Sequence, residues 1–118
     1  NLDIYIGTDM VYNKLVRDRI PHMIRQQGET PVTRILEEEE YLHHLEAKLD
    51  EEVGEYHRDK NAEELADILE VVFALAENIC CSREQLMAVY QRKHDDRGGF
   101  ADRCFLISKS DAKDGGST

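Results

Sequence analysis

Two clusters of carboxylates stand within nineteen residues of one another in the stretch EEVGEYHRDKNAEELADIL, residues 51 to 69. Glu51, Glu52 and Glu55 form the first, Glu64 and Asp67 the second. Residues three or four apart share one side of a helix, so Glu52 with Glu55, and Glu64 with Asp67, each present two acids together. Glu52 lies seven residues after Leu45, at the edge of an apolar stripe, and Asp67 is flanked by Leu65, Ala66, Ile68 and Leu69. Two like charges ~4 Å apart cost roughly 4 kcal/mol at an effective dielectric near 20. Such acids either protonate, splay into water as ordinary surface charge, or share a cation. Oxygen donors without His or Cys select a hard dication, Mg²⁺ or Mn²⁺, over zinc. Glu64 has a second reading, as the capping-box partner of Asn61.

The basic candidates lie elsewhere. Lys93 and Arg97 continue the line of Leu86, Val89 and Tyr90 on one helix face. They are placed either to hold phosphate oxygens or to interact with the helix dipole at its C-terminal end. Lys14 and Arg17, in YNKLVRDRIP, are a second group able to reach a phosphate chain. The five histidines fit no zinc spacing, and there is no Gly-rich phosphate loop.

Helices must position these groups. Leu42, Leu45, Leu49, Val53 and Tyr56 recur at helical spacing behind the acids of Glu37 to Glu40, which suit a first turn, and HRDKN interrupts the pattern. Asn61 caps a helix that is apolar over most of its circumference from Leu65 to Ile79, a character that calls for burial on several sides. Only eight residues separate Glu55 from Glu64, so the two helices turn back antiparallel with their acids at the connected ends. Ser82 and Gln85 make a capping box for a last helix that stops at Gly98-Gly99, and a short helix from an Asp18 cap, with Pro21 in its first turn, stops at Gly28. Val32 to Leu36 reads as extended, and CFLIS as a short strand or an arm. The fold class is an all-α bundle of about four helices, completed by oligomerisation. Residues 1–11 read as an N-terminal extension in an extended or loose arm, 12–107 as one domain and 108–118 as a disordered tail; Met10 is a candidate native start.

The formal net charge is −10 and the pI about 4.9, which argues against nucleic acid and anionic membranes as partners. No apolar run reaches the ~18 residues of a membrane span. The opening residues lack a signal peptide's basic region and apolar core. Cys80, Cys81 and Cys104 form no disulfide framework and read as reduced thiols of a cytoplasmic protein.

Taken in order, E-E-x-x-E (Glu51, Glu52, Glu55), E-x-x-D (Glu64, Asp67) and K-x-x-x-R-G-G-F (Lys93 to Phe100) resemble the all-α nucleotide pyrophosphohydrolases. That superfamily includes the MazG-like proteins, the all-α dUTPases and phosphoribosyl-ATP pyrophosphohydrolase. YNKLVRDRIP, ILEEEEYLHHLEAKLDEEVGEY and EELADILEVV are similar to a subgroup labelled phosphoribosyl-ATP pyrophosphohydrolase-like, and the likeness spans residues 12 to 107. The resemblance implies Mg²⁺-dependent cleavage between the α and β phosphates of a nucleoside triphosphate, releasing pyrophosphate. Glu52, Glu55, Glu64 and Asp67 would hold the metal. Glu51 would act behind them or as base for the attacking water, and Lys93 and Arg97 would bind phosphate. It also implies a homo-oligomer. A house-cleaning role on non-standard nucleotides leads, with phosphoribosyl-ATP hydrolysis second. A non-enzymatic nucleotide-binding or oligomeric helical module is the reading from a different class.

Overall fold

A computed structural model describes residues 4–6 and 9–112. It is helical, with four α-helices following a short β pair: β1 (Ile4–Ile6), β2 (Asp9–Val11), α1 (Ile20–Gln26), α2 (Glu38–Asp59), α3 (Ala62–Asn78) and α4 (Arg83–Arg97). The N-terminal arm is therefore paired rather than loose: β1 and β2 run antiparallel with Ile4 opposite Val11 and Ile6 opposite Asp9. Val32 to Leu36 and the CFLIS segment carry no regular structure, so CFLIS is an arm and not a strand. Residues 113–118 of the expected tail lie outside the described residues.

Helix ends follow local chemistry. Asp18 is not the cap of α1; that position falls to Arg19, without a side-chain bond, because a turn closed by the Ile20 N–H on the Arg17 carbonyl (3.1 Å) leads straight into the helix. At its other end Gly28 takes φ +88°, donates to the Arg25 carbonyl, and lets Glu29 donate to Ile24, a Schellman closure. Glu40 reaches back to the Glu37 N–H at 3.3 Å while Arg34 grips the same carboxylate at 2.8 and 3.1 Å. That forked bond, with the backbone one, lowers the Glu40 carboxyl to about 2. The expected break at HRDKN comes later than its first residues: α2 continues through Asp59 and stops where Lys60 turns left-handed, φ 48°.

The chain gathers into two compact units, up to Leu86 and from Met87 on, within the stretch read as one domain. In the first, α2 and α3 form an antiparallel hairpin across the two-residue link Lys60–Asn61, and theirs is the helix–helix packing among the described residues. Its core is small. Leu45, Val71 and Ala76 are its buried apolar residues, and Glu52 is buried with them. Leu65 and Leu69 on α3 stay 49% exposed and Ile79 74% exposed. The helix is thus apolar on sides that α2 does not cover. In the second unit the remainder of α4 has no buried residue. No described helix is long and apolar enough to cross a membrane.

Candidate metal centre

Asn61 sets the geometry at the hairpin's connected end. Its side chain accepts the Glu64 N–H at 3.0 Å and fixes the first turn of α3. The Glu64 carboxylate makes no return bond to the Asn61 backbone, and so is not a cap; it faces α2 instead, where its Oε1 is buried without a hydrogen-bond partner. One turn on, Asp67 stands on the same side as the buried Val71, four residues further. From α2, Glu52 extends the line of the buried Leu45 and is itself only 8% exposed, and its Oε1 also lacks a partner. One carboxylate oxygen from each of Glu52, Glu64 and Asp67 lies within 4.8 Å of the other two.

Electrostatics record the crowding. Burial pushes the Glu52 carboxyl up, Lys48 pulls it down, and Glu55, Asp67 and Glu51 push it up again. For Glu64, burial comes first, followed by the nearby Asp59 carboxylate and the charges of Glu55 and Asp67, all raising it. A buried acceptor left without a donor costs about 1–3 kcal/mol. Glu52 carries that cost here unless a cation supplies the missing partner.

Of the four acids expected to bind metal, the structure brings three together. Glu55 stands beside them: its charge bears on both Glu52 and Glu64, while one of its oxygens is 3.9 Å from Arg58. Glu51 is half-buried and 3.5 Å from the Lys48 ammonium, which also lies 3.6 Å from Glu52. Arg17 reaches this site from the segment before α1, bonding Asp67 through Nη2 and approaching Glu70 at 4.0 Å. Lys14 rests 5.8 Å from the Tyr12 ring centroid. In the second unit Lys93 and Arg97 line a shallow open cleft with Arg92, Asp95 and Asp96, all exposed.

Two neighbours escaped sequence reasoning, though spacing could have found both. Asp59 follows Glu52 and Glu55 at seven and four residues on one face of α2, and Lys48 precedes Glu52 by one turn.

No family model matches the chain, and no solved structure matches it. A relative in sequence is an uncharacterized protein of Mycolicibacterium smegmatis (strain ATCC 700084 / mc(2)155), 62% identical over 42 residues. The match covers 36% of this chain and 43% of that relative, so the chain spans less than half of the relative's length.

The donor set fits a hard dication. All three donors are carboxylate oxygens, and no His or Cys belongs to the cluster. Glu52 and Glu64 each keep an oxygen free of any protein donor. Oxygen-only sites of this kind suit Mg²⁺ or Mn²⁺, which complete their shells with water and substrate phosphates.

Proposed function

We propose that the chain is a Mg²⁺-dependent nucleoside triphosphate pyrophosphohydrolase of the all-α, MazG-like type, cutting between the α and β phosphates to release a monophosphate and pyrophosphate. The observation that carries this reading is the pair of buried carboxylate oxygens, on Glu52 and Glu64, that face a third acid and have no donor. Glu52, Glu64 and Asp67 would hold the ion, and Glu55 would join them by leaving Arg58. A dication bound there supplies neutralisation of the polyphosphate and acidification of water. Glu51, 3.5 Å from the Lys48 ammonium, would accept a proton from the attacking water at a carboxylate oxygen. The resemblance alone gives Lys93 and Arg97, in the second unit, the role of binding phosphate oxygens.

The reading includes a homo-oligomer, supported by the half-exposed Leu65 and Leu69 on α3 and the exposed Ile79 that follows it. Three free thiols fit a reducing, cytoplasmic setting.

Pyrophosphate release from a panel of nucleoside triphosphates and phosphoribosyl-ATP, with and without Mg²⁺, tests the proposal. Metal-dependent release that falls at least ~100-fold in Glu52→Gln and Asp67→Asn supports it, the loss expected when a bound ion's charge stabilisation is removed. A panel without release, or variants as active as the parent protein, overturns it.

A further inference from the structure

Arg17 and Asp67 are fifty residues apart in sequence, yet the guanidinium occupies one oxygen of a carboxylate that belongs to the metal cluster. The backbone of Arg17 acts separately from its side chain, because its carbonyl accepts the Ile20 N–H at the turn that begins α1. One residue thus joins the start of α1 to the face of α3. Little else holds this segment. Leu15, Val16, Ile20 and Ile24 are only half-buried, α1 has no buried residue, and it packs closely on no other helix. Among the described residues the ion pairs of Arg17 are those that tie the segment to α3. Lys48 neutralises Glu52 too, but from the same helix, so its release would free no segment.

We propose that Arg17 is a positioning residue, a resident counter-cation on Asp67 that a divalent ion displaces, so that metal loading unlatches residues 12–27 and turns the guanidinium toward an anionic phosphate. The order follows from charge. Without metal the acids hold Arg17; once a dication takes Asp67, a polyphosphate becomes the stronger partner for a forked donor. Arg17 therefore couples the metal step to the anion step. This rests on the metal reading above.

The test uses the full chain and Mn²⁺ alone. Calorimetric titration measures affinity, and amide hydrogen exchange follows residues 12–27. Arg17→Gln binds Mn²⁺ about 1.5- to 5-fold more tightly, the range for losing an exposed competing ion pair. Its segment exchanges fast with or without the ion. In the parent protein Mn²⁺ speeds that exchange, and Arg17→Lys falls between the two. Lys48→Gln tightens Mn²⁺ binding and leaves exchange at 12–27 as in the parent. Unchanged or weaker binding by Arg17→Gln, or exchange at 12–27 that ignores Mn²⁺, overturns the latch. If Glu52→Gln abolishes binding in the same titrations, the latch alone has failed. If the parent protein binds no Mn²⁺, or Glu52→Gln binds it equally well, the metal reading falls and the latch with it.

Discussion

Glu52 is the residue on which opposing forces meet. It is buried, pushed up by burial and by three neighbouring acids, and only partly relieved by Lys48. Glu52→Gln should therefore raise the melting temperature of the metal-free protein, by about 2–5 °C, because a neutral amide loses less on burial. The same change should remove the stabilisation that the parent protein gains from millimolar Mn²⁺. Thermal melts with and without the ion read both effects. The pH response has a definite sign. Glu52 and Glu64 are raised above 4.5, so above that value the folded chain binds more protons than the unfolded one and stability falls as pH rises through their folded values. Glu40, lowered to about 2, works in the other window, and its contribution is lost as pH falls from 4.5 toward 2. Metal-free melting temperatures should thus decline as pH rises above 4.5, and saturating Mn²⁺ should abolish the decline. A metal-free protein that grows steadily more stable from pH 5 to 8 would contradict this. Most of the acids of this site were legible from spacing, because carboxylates three apart beside apolar positions have few places to go. The partner of Arg17 was not, since nothing local relates it to Asp67.

At the scale of elements, the caps position the acids. Asn61→Ala should cost about 1 kcal/mol of stability and also weaken Mn²⁺ binding, since Asn61 fixes the turn that carries Glu64. Ser82→Ala should cost a similar ~1 kcal/mol, because the Gln85 N–H loses the Ser82 hydroxyl it binds at 3.1 Å, yet leave Mn²⁺ affinity unchanged. Denaturant unfolding and calorimetry separate the two cases. These caps were readable because Asn, Ser and Gln at such spacings satisfy N–H groups that a helix start cannot satisfy itself. Gly28 was readable for the same kind of reason, as the residue that turns left-handed without strain. The failures were equally physical. Asp18 had the right chemistry, but the backbone turn at Arg17 had already supplied the first bond. The pairing of β1 with β2 has no strong alternating pattern to announce it, and α2 outlasts its apolar period because Lys60, not His57, takes the terminating conformation.

For the whole molecule the four helices were foreseen as a bundle; in the first unit α2 and α3 are the helices that pack closely on each other, a hairpin rather than a closed bundle. The sequence from Leu65 to Ile79 read as apolar over most of a helix's circumference, and the structure shows which of its residues stay uncovered: Leu65, Leu69 and Ile79. Leaving such side chains in water forgoes about 1.5–3 kcal/mol for each that a partner would fully bury. Replacing Leu65 and Leu69 together with Glu should therefore shift the protein to a smaller species in sedimentation velocity, with its helical content retained. Unaltered sedimentation would mean that this face takes no part in assembly. The central claim concerns the hairpin's acids, and crystals grown with Mn²⁺ address it most directly. Diffraction at the manganese edge should place an anomalous peak within bonding distance of carboxylate oxygens from Glu52, Glu64 and Asp67. Those side chains turned apart into solvent, with no peak between them, would contradict the account.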